Sequence, residues 1–199
     1  TRLVIAVVFL SIAHQVVLGS LFPLDVAPER WLWLGLSGVV GLVLGDIFLF
    51  QAFVLVGPRL SMLMMSLAPI IAALEAWVFL GETLTGGQVF GIVVTIAGIG
   101  WVVMEGNGQH RNDHDYGRGI LLGLGGAIGQ ATGLVLAKNG LGGEFSPISA
   151  NMIRMIAAIV VLWGITFFQG QAKATIQTLR NDPKGVLFTT GGAFLGPFL

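Results

Sequence analysis

Six stretches of this chain run for 17 to 26 residues with almost no charge, and no other feature narrows its possible folds as much. They occupy residues 3–22, 31–56, 60–80, 88–104, 119–137 and 147–168, and a seventh begins near Gly185. A bilayer's hydrocarbon core is about 30 Å thick and takes roughly 20 apolar residues to cross as a helix. The links are short and hold most of the turn formers and charges, as in "PLDVAPER", "GETLTGG" and "EGNGQHRNDHDYGR". No ten-residue stretch alternates apolar with polar residues, so membrane strands do not fit. The first run is not read as a secretion signal, because no small-residue cleavage site follows it and further apolar runs do. The expected fold is an all-α membrane protein, a polytopic helical bundle.

Composition agrees. The 199 residues are 55% hydrophobic, with ten acidic and ten basic side chains; a soluble domain carries about a quarter charged residues. Zero net charge offers no basic face for nucleic acid. The absence of cysteine rules out disulfides, thiolate-bound zinc and thiol catalysis. No catalytic signature lies on any span, so an enzyme is not expected, nor a cofactor. "HRNDHD", His110 to Asp115, reads as a hydrophilic loop rather than a metal site, since no further ligand cluster accompanies it.

Glycines recur at four-residue spacing: Gly41-x3-Gly45, Gly87-x3-Gly91, Gly119-x3-Gly123, Gly125-x3-Gly129, Gly129-x3-Gly133 and Gly192-x3-Gly196. That spacing bares backbone on one helix face, where a neighbouring helix approaches closely in lipid. There is also an internal echo. Gly41, Leu44 and Gly45 recur as Gly192, Leu195 and Gly196, an offset of 151. "RLVIAVVFL" from Arg2 recurs loosely as "RMIAAIVVL" from Arg154, an offset of 152 that pairs Ala6 with Ala158 and Val8 with Val160. The copies lie five spans apart, an odd number, so the second is inverted in the membrane. Inverted repeats are the construction of secondary transporters, with substrate held near the midplane.

Ionised and strongly polar side chains are costly in hydrocarbon, and each needs a reason. The candidates for substrate binding or proton coupling are Asp46, Glu75, His14, Gln51, Gln130, Asn151 and Arg154. Asp46 is too short and too deep to reach water along its own helix; it lines a cavity, pairs with a residue such as Arg154 or His14, or stays protonated. Glu75 is nearer its helix end. Arg154 is close enough to an interface to extend its head there, and amides and imidazoles more often knit helices together than bind ligands. Glu82 is read as structural, closing a span in a turn, with Thr85 and Gln88 as a capping box for the next helix. Pro69 is expected to kink the span 60–80 by removing one backbone bond near Met65, tolerable only where neighbours or a wet cavity satisfy the freed carbonyl.

The stretch from Gly45 to Gly100 carries a Gly45-Asp46 opening, Ala52, Arg59-x-Ser61, Pro69, a Gly81-Glu82 turn with Thr85, and Gly91 and Gly98 on the helix after it. Together these resemble the first EamA repeat of the drug/metabolite transporter superfamily. "SPISANMIRMIAAIVVLWG" and the closing "GGAFLGPFL" resemble parts of the second. The resemblance implies a ten-helix arrangement of two inverted five-helix repeats. On that pattern residues 1–104 hold helices two to five of the first repeat, 105–117 the connecting loop and 118–199 the first part of the second, about seven helices in all. A fragment is expected, opening on Thr1 and closing at Leu199 inside an apolar run, with ~35 residues missing before it and at least ~56 after. The resemblance further implies a multi-pass protein of the inner (plasma) membrane, partnered by lipid and a small-molecule substrate. It would move a metabolite or drug by alternating access, with a proton as candidate coupling ion; the rival reading is a non-transporting membrane scaffold or sensor. Glu75 departs from the family pattern, where that position is usually apolar. Orientation is contested: Arg2, Arg59, Arg111, Arg118, Lys173, Arg180 and Lys184 share one side, which charge counting makes cytoplasmic and the family arrangement makes external.

Overall fold

The computed structural model describes residues 2–23, 26–107, 113–143 and 145–170. Among them the chain forms α1 (Arg2–Leu18), α2 (Pro28–Gly38), α3 (Asp46–Met65), α4 (Ala68–Leu80), α5 (Gly86–Asn107), α6 (Asp113–Leu141) and α7 (Pro147–Phe168). A π-helical stretch, Val39–Gly45, joins α2 to α3, and no strand occurs among the described residues. The fold is an all-α polytopic membrane protein. Four helical segments are long and apolar enough to cross a bilayer: Pro28–Met65, Gly86–Glu105, Asp115–Leu141 and Pro147–Phe168. With 17 residues α1 stands at the short end of the spanning range, and α4 with 13 falls below it.

Side-chain exposure fits lipid rather than water. On α5, Val89, Phe90, Val93, Trp101 and Met104 all face outward. A water-facing helix would place polar residues there, whereas one apolar all round suits hydrocarbon.

The "GPR" link expected between the second and third spans is a break inside α3. Gly57 has φ 79° and ψ 166°, a backbone region that only glycine enters without strain. Pro58 follows it without an N–H to donate, and Ser61 Oγ donates to the Gly57 carbonyl at 2.8 Å. A second break comes at Ser66 and Leu67. Pro69 does not kink one continuous helix, as expected, because α3 ends at Met65 and Pro69 lies in the first turn of α4. Its fixed φ suits that position, where a first-turn N–H would be unpaired anyway. The turn between is closed locally: Ser66 N–H donates to Met62 and Leu63, Leu67 N–H to Met64, and Ser66 Oγ to Leu63 at 2.6 Å.

The contacts sort the chain into two compact units, Thr1–Val39 with Leu136–Leu199, and Val40–Val135. In the first, α7 packs on both α1 and α2. Leu34, Ala137, Ala150 and Ile153 form its buried cluster, with Trp31, Leu141 and Phe145 against it. α2 and α7 touch backbone to backbone, since a Cβ added at Gly38 would lie 2.1 Å from the Arg154 carbonyl oxygen.

In the second unit, α6 runs antiparallel to the π-helical stretch and α3 through its glycines. Positions built as Cβ atoms on Gly119, Gly123, Gly126 and Gly129 meet Val56, Met64, Leu49 and Gly45 in turn. Val56, Leu60 and Tyr116 form the buried cluster there, and Tyr116 donates to the Val103 carbonyl at 2.6 Å, tying α6 to α5. The Thr85–Gln88 capping box is present: Thr85 N–H donates to Gln88 Oε1 at 2.8 Å and Gln88 N–H to Thr85 Oγ1 at 3.4 Å. Glu82 is exposed in the turn before it, its N–H bonded to the Ala76 carbonyl at 3.3 Å.

Candidate functional site

Each unit holds polar side chains bonded between its helices. In the second unit the central pair is Glu75 on α4 and Thr132 on α6. Thr132 Oγ1 donates to Glu75 Oε1 at 2.8 Å, and both residues are half-buried. The bond reaches from one apolar helix to another, where an acid without a partner would be rejected. Thr132 was not among the sequence candidates; a lone threonine on a glycine-rich helix carries no pattern that marks it.

Asp46 is half-buried at the start of α3, where the π-helical stretch ends, and it too is engaged in a polar interaction. π-Helical turns often occur at functional positions, since their extra residue per turn re-aims side chains. The stretch is pressed against α6: a Cβ on Gly129 would lie 3.0 Å from the Gly45 Cα and 3.3 Å from the Val40 carbonyl oxygen. Gln130 is half-buried, and its backbone nitrogen would lie 3.3 Å from a Cβ on Gly45. Gln51, one turn and a half along α3 from Asp46, is exposed.

In the first unit His14 is the most enclosed of the candidates, 2% exposed. Its Nε2 meets Ser149 Oγ at 2.9 Å, and Nδ1 faces the Ser20 carbonyl oxygen. A neutral ring satisfies both, donating from Nδ1 and accepting the Ser149 hydroxyl at Nε2. The carboxyl-terminal end of α1 therefore lies beside the first turn of α7. The pair joins α1 to α7, as imidazoles in membrane bundles often join helices. Further along α7, Asn151 and Arg154 are both half-buried, and Arg154 Nε finds no hydrogen-bond partner among the described residues.

A second arginine escaped notice as a structural element. Arg30 Nη2 donates to the Gly142 carbonyl at 2.8 Å, just past the end of α6, and its guanidinium lies 4.7 Å from the Phe145 ring centroid. A cation at a helix carboxyl end and over an aromatic face is stabilised by both. Among the described residues no group of three or more His, Cys, Asp or Glu comes together to hold a metal. The first half of "HRNDHD" lies outside the described residues, while Asp113 opens α6 and so shortens the expected loop.

Against known proteins, residues 1–104 match one family, described as the EamA-like transporter family. No curated protein and no solved structure matches the chain.

Proposed function

Since this chain belongs to the EamA-like transporter family, whose pattern covers more than half of it, we propose that it moves a small organic metabolite or drug across a membrane by alternating access, with proton coupling through Glu75. The protein is a multi-pass membrane protein of a transporter family, and that family's members are not enzymes. The observation that carries the finer reading is the Thr132 hydroxyl held on the Glu75 carboxylate between two apolar helices. An acid lodged between two apolar helices calls for a functional reason, and carrying a proton along the path is one. Asp46, at the end of the π-helical stretch, is the second protonatable group assigned to the path.

We assign residues 1–104 and 118–199 to two inverted repeats. The family match ends at the expected limit of the first. The echoed positions behave alike, Ala6 and Ala158 being buried, Val8 and Val160 exposed. The end of α1 meeting the start of α7 through His14 and Ser149 supports opposite senses for the two helices. The bacterial-type inner membrane is the assigned location.

The test is flux in proteoliposomes holding the full chain, loaded with a panel of amino acids, nucleobases and cationic drugs under an imposed pH gradient. At least one compound is expected to move, at a rate that follows the gradient; Glu75→Gln is expected to retain exchange but lose gradient-driven accumulation. Full gradient-driven transport by both Glu75→Gln and Asp46→Asn would remove the coupling role. No flux of any compound would favour the scaffold or sensor instead.

A further inference from the structure

We propose that Arg154, with Asn151 one turn before it on α7, binds a carboxylate of the transported molecule; this rests on the transporter reading and names the chemistry of the cargo. Arg154 stands in the second turn of a 22-residue apolar helix, where an ionised side chain is expensive and calls for a counter-charge. None is supplied at Nε, which is buried without a partner among the described residues. An arginine that merely escapes to the interface keeps its stem in the apolar layer and its head in water. Here part of the head itself is shut away from solvent.

The contrast with Arg30 is instructive. Arg30 also has an unbonded buried nitrogen, Nη1, yet its guanidinium is occupied by the Gly142 carbonyl and the Phe145 ring. Arg154 has no such engagement among the described residues, and its depth in the span is fixed by its own carbonyl resting on Gly38.

Residues three apart on a helix are surface neighbours, so Asn151 sets an amide beside the guanidinium. Together they offer planar N–H donors of the kind a carboxylate accepts in pairs. Charge selects among anions: one guanidinium cancels one carboxylate, whereas a phosphate dianion would leave a negative charge uncompensated in an apolar bundle. A neutral cargo would bring no counter-charge to the guanidinium.

The experiment pairs acids with the amides that lack their carboxylate charge. Proteoliposomes carrying the full chain are assayed for uptake of leucine, phenylalanine and benzoate against leucinamide, phenylalaninamide and benzamide, alongside the nucleobases and cationic drugs of the first panel. For wild type, the transported compounds are expected to carry a carboxylate and to exceed their amides by roughly ten- to a hundredfold in kcat/KM. Arg154→Gln is expected to bring that ratio close to one. Where Arg154→Gln cannot be purified folded, Arg154→Lys and Asn151→Ala carry the test, each raising KM for the acid and not for the amide. Transport confined to compounds without a carboxylate overturns the proposal and leaves the transporter reading intact. So does an acid-to-amide preference that Arg154→Gln, or both substitute variants, leave unchanged. If no compound moves, both fall.

Discussion

Adding one methyl group at Gly38 is expected to cost this protein more stability than its size suggests. A Cβ there would lie 2.1 Å from the Arg154 carbonyl oxygen, 2.8 Å from its carbon and 2.9 Å from its Cα. Ordinary close contact between a carbon and a carbonyl oxygen is about 3.3 Å, so α2 and α7 must part by roughly an ångström. All three obstructing atoms are backbone, and no side chain can rotate aside. Overpacking a core costs about 1–3 kcal/mol, and a rigid obstacle argues for the upper end. Against this, alanine is favoured over glycine within a helix by about 1 kcal/mol. The net expectation for Gly38→Ala is a loss of about 2 kcal/mol. The assay is equilibrium unfolding of the purified protein in mixed micelles, followed by helical circular dichroism. Gly164→Ala on α7 is the control, since nothing lies within 4 Å of its added Cβ, and it is expected to match or slightly exceed wild type. Wild-type stability for Gly38→Ala would refute the close backbone crossing.

Two further outcomes are expected. Gly57→Ala should destabilise by about 1–2 kcal/mol in the same assay, although its Cβ meets open space, because φ of 79° forces alanine into a strained backbone region; no loss would show that α3 does not turn there. Thr132→Val should weaken the fold by about 1 kcal/mol, near the range for interhelical bonds in membranes, and that loss should largely vanish in a Glu75→Ala background, where the acceptor is gone, if the hydroxyl acts through this carboxylate.

Much of the fold was legible because lipid leaves so little choice. Length and apolarity located the spans, and the turn chemistry of "GPR" and of Thr85 with Gln88 marked a break and a helix start that the structure contains. The glycine spacing was informative in part. Gly45, Gly119, Gly123 and Gly129 do lie at close helix crossings, whereas Gly87 and Gly91 face open space and Gly192 and Gly196 fall outside the described residues. Gly38, at the tightest crossing of α2 with α7, has no glycine four residues away and gave no signal. Pro69 announced an interruption, but proline alone does not say whether a helix bends or restarts; the local bonds of Ser66 and Leu67 decide that. The π-helical stretch could not be foreseen, since Val and Leu at 39–45 suit an α-helix equally well. Of the site, Glu75 stood out by its charge, while Thr132 emerges only when α4 and α6 are folded against each other.

The contact between Gly38 and the Arg154 carbonyl makes the charged residue of α7 its point of closest purchase on α2. Were α7 to rock about that fulcrum, Arg154 would keep its depth while the helix ends swung in opposite directions. Ser149 lies five residues away, roughly 7.5 Å along the axis, so a tilt of about 10° would carry it a little over an ångström. That is enough to unlatch its bond to His14, which makes the imidazole a gauge of the tilt of α7.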